Sequence, residues 1–208
     1  MEGLAAKIFV LAPALVVSAA LAAQGERSSQ ELAFDSESFT LDGDSNLIHF
    51  VHPQITQGAL RIDADEAVAT GVEFDDRSEW RFTGNVRIAV DRAVIEADSA
   101  VFNFDKDQLA RGELVGSPAS FRASRPDSGK KPVEGTANKI FIDYSARTLR
   151  MSELVSLTKD QYYMQGCDLV FDLNSERVTP GPTECGELFR IVVNPRENTA
   201  GANPAASP

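Results

Sequence analysis

A chain of 208 residues with 43% hydrophobic and 25% charged residues has the composition of one domain with a core of its own, which excludes a disordered chain. Its 31 acidic residues outnumber 20 basic ones, and the net charge of −11 repels polyanions and excludes a nucleic-acid partner.

In chain order, the first segment reads as a secretory signal. Lys7 precedes an apolar run from Ile8 to Leu21, broken only by Pro13 and Ser18, and Ala20-Leu21-Ala22 supplies the small residues that signal peptidase accepts. The run is short of the ~20 apolar residues of a spanning helix, so cleavage after Ala22 or Ala23 is favoured over an uncleaved anchor. Residues 1–23 are thus expected to be a signal peptide and the mature chain to be exported.

From Gln30 to about Val193 the dominant period is two. Leu60, Ile62 and Ala64 alternate with Arg61, Asp63 and Asp65; Val86, Ile88 and Val90 alternate with Arg87 and Asp91. Ile140, Ile142 and Tyr144 share a face, as do Leu169, Phe171 and Leu173. Such alternation predicts strands with one apolar and one solvated face. Turn residues separate them, among them Asp42-Gly43-Asp44-Ser45-Asn46, Asp75-Asp76-Arg77-Ser78, Asp127-Ser128-Gly129 and Asn174-Ser175-Glu176. No amphipathic helix interrupts the pattern, and the fold class is all-β, with a domain over residues 24–193. From Asn194 onward Pro, Asn, Ala, Gly and Ser predominate, and residues 194–208 are expected to be a disordered tail.

The strands repeat. Ile62-Asp63-Ala64-Asp65, Ile95-Glu96-Ala97-Asp98, Gly135-Thr136-Ala137-Asn138 and Met164-Gln165-Gly166-Cys167-Asp168 each place a small residue near an Asp or Asn beside an apolar strand. A recurrence of this kind predicts stacked units that bury their apolar faces on one another. The small residue permits close approach at a corner, and the Asp or Asn side chain bonds the local backbone there.

Signs of catalysis are sparse. His49 and His52, three apart on a strand, point to opposite faces and make a poor metal site. Asp42-Gly43-Asp44-Ser45-Asn46 opens like a calcium loop, but Leu47 and Pro53 occupy positions where such a loop needs Gly and Glu. No nucleophile elbow, phosphate-cradling loop or HExxH motif is present, so the reading is of a protein that binds and does no chemistry, with no metal and no cofactor. Cys167 and Cys185, in an exported chain, form one disulfide or stay as two buried thiols.

Three phrases in order resemble the OstA-like family, the LptA type of lipopolysaccharide-transport protein. They are Ile55–Asp65 with its Arg61-Ile62-Asp63-Ala64-Asp65, then Phe82-Thr83-Gly84-Asn85-Val86, then Gly116–Phe121 followed by Lys131–Gly135. Two features depart from the pattern: Phe50-Val51-His52-Pro53-Gln54 stands where a first Phe-Thr-Gly-Asn-Val phrase is expected, and an additional repeat unit lies between Glu73 and Leu109. A diverged paralogue, an LptC-type component and a relative of the outer-membrane protein's periplasmic domain therefore stay open. The resemblance implies a folded-over antiparallel sheet, a β-taco or β-jellyroll. It also implies a periplasmic carrier that shields lipopolysaccharide acyl chains in an apolar groove between the inner and outer membranes. Implied partners are LptC-type and LptD-type components, joined by edge-strand pairing, and copies of the chain stacked on the same edges. Gln30–Leu41 is the expected N-terminal edge and Tyr162–Leu173 part of the C-terminal one, where a Cys167–Cys185 link would fasten and cap it.

The groove is expected to be lined by Leu60, Ile62, Phe82, Val86, Ile88, Val90, Ile95, Phe121, Ile140, Ile142, Leu149 and Met151, with Trp80 beside them. The same residues also suit a closed core, in which case the protein is an envelope scaffold or assembly factor that binds no lipid.

Overall fold

The computed structural model describes residues 31–70, 78–105, 108–125, 129–182 and 188–195. The signal peptide, Cys185 and most of the expected tail lie outside the described residues.

The described chain is one antiparallel sheet of fourteen strands. They are β1 (Leu32–Asp35), β2 (Ser38–Asp42), β3 (Leu47–Val51), β4 (Gln54–Gln57), β5 (Leu60–Asp63), β6 (Glu66–Thr70) and β7 (Glu79–Val90), followed by β8 (Ala93–Asp105), β9 (Gln108–Ala123), β10 (Val133–Asp143), β11 (Thr148–Lys159), β12 (Tyr162–Asp172), β13 (Val178–Pro180) and β14 (Arg190–Val193). The Asp-rich turns form as their chemistry dictates: Asp42 Oδ1 accepts the Asp44 amide at 3.0 Å, and Asp172 Oδ1 accepts those of Asn174 and Ser175 at 2.9 and 2.7 Å.

The sheet folds because every long strand is interrupted at the same level. The pairing of β7 with β8 slips between Thr83 and Val86, that of β10 with β11 between Thr136 and Lys139, and that of β11 with β12 between Ser152 and Val155. At the N-terminal end the same line is crossed by complete breaks, with β5 and β6 pairing successively along β7. Extra residues bend a strand and sharpen its twist, so aligned irregularities crease the whole sheet into two facing halves. The first half contains β1, β4, β5 and β14 with the parts of β7 to β12 that adjoin them. The second contains β2, β3, β6 and β13 with the remaining parts.

The repeated Asp and Asn residues lie on this crease. Asp65 separates β5 from β6, while Asp98, Asn138 and Asp168 stand in or beside the register slips. Two of the repeat phrases meet there. Asp65 donates its amide to the Gly84 carbonyl at 2.9 Å and takes the Asn85 Nδ2 proton on Oδ2 at 2.8 Å. Gly84, at φ +75°, is so close to Asp65 that a Cβ there would stand 2.3 Å from Oδ2. These carboxylates reach to neighbouring strands, where a purely local turn was expected; Asp168, fully buried, takes the fork of Arg150 at 2.7 to 3.1 Å.

Candidate functional site: the interior and mouth of the folded sheet

The two halves press their apolar faces together into one cluster that runs the length of the sheet. Strand alternation sends Leu60, Ile62, Val86, Ile88, Val90, Ile95 and Phe121 inward from the first half. Phe82, Ile140, Ile142, Leu149 and Met151 come inward from the second, and none of the twelve is more than 2% exposed. Contacts cross between halves: Phe121 meets Phe171 at 5.1 Å between ring centroids, and Phe34 stacks on Trp80 at 5.0 Å. The interior is therefore filled by the chain's own side chains.

Several interior residues escape a reading by alternation. Ala100, Phe102 and Leu114 are buried, but they flank creases where the inward phase shifts, Ala100 and Phe102 after the one in β8 and Leu114 before the one in β9: Ala97 to Ala100 in β8 and Gly116 to Ala119 in β9 are three residues apart instead of two. Their signal is the same Ala-Asp or Gly-Ser-Pro phrase that marks the crease. Ser117-Pro118 in β9 is a cis peptide.

The ends of the fold leave the apolar face less covered. At the N-terminal edge Phe39 and Leu41 are 69% and 58% exposed, and an aromatic row leads inward from Phe39 through Phe50 to Trp80. β1 and β2 form this edge, as expected. The C-terminal edge differs from the expected one. Tyr162–Leu173 is not the outermost segment, because β13 pairs with Leu169–Phe171 and β14 with Tyr162–Gln165. There Met164, Leu169, Phe189 and Ile191 line an apolar notch of about 130 Å³. Cys167 is disulfide-bonded; the other cysteine of the chain, Cys185, is outside the described residues.

Opposite the crease the free strand ends form a mouth. Among the described residues no backbone–backbone hydrogen bond joins the two halves across it. Side chains do. Arg125, 2% exposed after β9 in the first half, binds Asp160 at 2.9 Å on its own side and Glu176 at 2.5 Å on the other. Burial opposes its charge, but the bonds and charges of Glu176 and Asp160 prevail and hold the guanidinium above its ordinary pKa. Lys159 Nζ donates to the Glu176 carbonyl, and Asp91 of the first half binds Arg147 of the second. Farther along, the Leu109 amide donates to Gln57 Oε1 at 3.2 Å. The histidines are not brought together: His52 Nδ1 lies 2.7 Å from Glu37 Oε2 on the exposed surface.

Residues 68–177, just over half the chain, match the family model described as LptA/(LptD N-terminal domain) LPS transport protein. The matched span contains the Phe82–Val86, Gly116–Phe121 and Lys131–Gly135 phrases, while Ile55–Asp65 precedes it. No curated protein matches. Among solved structures the chain is similar to LptH of Pseudomonas aeruginosa, described as the LptA homologous periplasmic component of its lipopolysaccharide transport device. The likeness covers 80% of this chain and 96% of that one, with a TM-score of 0.52 and 13% identity. At that identity it is a likeness of fold.

Proposed function

We propose that this chain, which belongs to the lipopolysaccharide-transport family of LptA and the LptD N-terminal domain, is a periplasmic carrier that shelters lipid acyl chains between its two half-sheets. It performs no chemical step. The observation that carries this reading is the mouth: among the described residues the halves meet there through side chains alone, so the apolar interior can be uncovered without breaking a strand ladder. Apolar burial is worth ~25 cal/mol per Å², so acyl chains replacing inter-half contacts are held without specific polar groups. The acidic exterior keeps an anionic head group in water at the rim.

Exchange with neighbours is assigned to the sheet edges. Among the described residues β1 and β2 at one end and β13 and β14 at the other pair on one side only, which suits strand addition by LptC-type and LptD-type components or by further copies of the chain. Exposed Phe39 and Leu41 at one edge, and Ile191 at the other, would be covered by such partners.

The second reading, a lipid-free scaffold, is favoured by how completely the twelve interior residues are buried. Photo-crosslinking separates the two. A probe at Ile62 or Ile88, in cells making lipopolysaccharide, is expected to capture lipopolysaccharide, and a probe at exposed Arg87 is not. Folded protein that yields no adduct at either inward position replaces the carrier with the scaffold.

A further inference from the structure

Of the links across the mouth, those made by Arg125, Lys159 and Arg147 converge on one turn. Glu176, which binds Arg125, lies in the turn between β12 and β13, and so does Asn174, whose Oδ1 accepts Arg147 Nε at 2.9 Å while Arg147 also binds Asp91. Two ionic pins therefore join the halves here: Arg125–Glu176 ties the Leu173–Arg177 turn of the second half directly to the first, and Asp91–Arg147 ties the adjoining β10–β11 turn, to which Asn174 bonds. Between them lies a cleft of about 60 Å³, and its apolar walls include Val90, Ala93 and Phe171, which are themselves part of the buried interior. At this point on the mouth, among the described residues, side chains of one small cleft lie between solvent and the core.

We infer that this cleft is a latched lateral port through which acyl chains enter and leave the interior, an inference that rests on the carrier reading above. The pins suit the task. A backbone ladder opens cooperatively, whereas each pin is a side-chain pair that separates by movement of a turn. Arg125 bears the strongest constraint, since a buried guanidinium that loses a carboxylate is left poorly compensated. The pinned state is thus the resting one, and opening requires something that offsets the loss. An incoming lipid has both parts: acyl chains that refill the apolar space, and phosphates that replace carboxylates as partners for cations. Arg92, Arg125 and Arg147 stand around the cleft together with Asp91, Asp160 and Glu176. In a chain of net charge −11, this alternation of cations with displaceable acids gives an anionic head group a place to rest outside while its tails insert.

The test uses full-length protein with a photo-probe at Ile88, purified lipopolysaccharide and the native disulfide left oxidised. Asp91→Cys with Arg147→Cys is bridged by a short bismaleimide, which ties the port shut and leaves both ends of the fold untouched. Bridging is expected to reduce the Ile88 adduct to background while the unbridged double variant still forms it. Glu176→Gln, which removes charge without changing size, is expected to speed adduct formation by about tenfold, the equivalent of about 1.4 kcal/mol. Undiminished adduct in the bridged protein overturns the port and leaves the carrier reading standing, because lipid then enters through an end. Lack of adduct in the wild-type protein refutes the carrier reading and the port with it.

Discussion

Replacing Gly84 by alanine tests the crease, the feature that turns a flat sheet into a folded one. Gly84 stands at φ +75°, where an L side chain costs about 1–2 kcal/mol. Its new Cβ would lie 2.3 Å from Asp65 Oδ2 and 2.9 Å from Asp65 Cβ, so the carboxylate has to move and the bond from Asn85 is lost. That bond is worth about 1 kcal/mol. Together the terms predict a loss of roughly 2–4 kcal/mol, or roughly 5–15 °C in melting temperature for a chain of this size. Urea titration followed by circular dichroism measures it. Gly43→Ala is the control: nothing lies within 4 Å of a Cβ there, and the change is expected within about 0.5 kcal/mol of zero. Asp65→Ala in the Gly84→Ala background removes the overlap with the carboxylate, leaving only the 2.9 Å approach to Cβ, so the double variant should lose less than the sum of the singles, by about 1 kcal/mol or more. If Gly84→Ala and Gly43→Ala melt alike, or if the two crease substitutions simply add, the Asp65–Gly84 stack does not hold the fold.

Three further outcomes follow from named groups. Arg150→Met strips the guanidinium fork from fully buried Asp168, and because Arg150 is itself about a third exposed the expected loss is reduced to roughly 2–3 kcal/mol by denaturant titration; wild-type stability in the variant contradicts the pairing. Acid should weaken the protein through Asp143, whose pKa is held below 3.8 by the backbone amide of Ala146 against the opposing effect of burial, with help from Ser145 and Arg111. A depressed carboxylate adds stability that is complete above its unfolded pKa and is lost as pH falls through the folded one. The melting difference between wild type and Asp143→Asn should therefore be present at neutral pH and shrink below pH 3.8, and a difference that does not change with pH rules this out. Cys167→Ser should lower stability by about 3 kcal/mol if the partner is Cys185, the entropy of closing a loop of that length; non-reducing peptide mapping that links Cys167 to anything else refutes the pairing.

Most of the strand architecture is legible in the sequence because a half-buried strand alternates with period two and the turns carry Asp and Gly. Ile62, Ile88 and Ile140 announce their face in this way, and all three are buried. The crease is legible too, since Asp65, Asp98, Asn138 and Asp168 recur in one phrase. What alternation misses is the phase change that each crease introduces. Val115 follows Leu114 as an equally apolar neighbour, yet Leu114 is buried and Val115 is 38% exposed, and only the register slip that follows decides between them. The C-terminal edge was misread for a different reason. β13 and β14 are three and four residues long, and both pair with β12, one along each half. Such short strands carry too little pattern to show that they cover a longer one. The pins at the mouth are invisible for a third reason: nothing local in Arg125 or Glu176 marks it among the many charges of this chain, and the pair exists only because the crease brings distant turns face to face.

A filled interior and a carrier function are compatible on energetic grounds. An apolar face left open to water forfeits about 1.5–3 kcal/mol for each large side chain, so a folded sheet without cargo closes on itself wherever its geometry allows. This one does: the crease brings Phe121 onto Phe171 and Phe34 onto Trp80. In the proposed carrier, loading would exchange one apolar contact for another, protein on protein for protein on acyl chain, and the net cost of opening would fall on the polar links at the mouth. Among the described residues those links are few and made by side chains, whereas the ladders that keep each half intact are many and made by backbone. The same sequence feature, an inward face of Ile, Val, Leu and Phe with no polar demand of its own, is a core in this state and, on the carrier reading, would be a lipid surface when parted. The distinction between scaffold and carrier therefore lies in how readily Arg125 and Arg147 release their partners across the mouth.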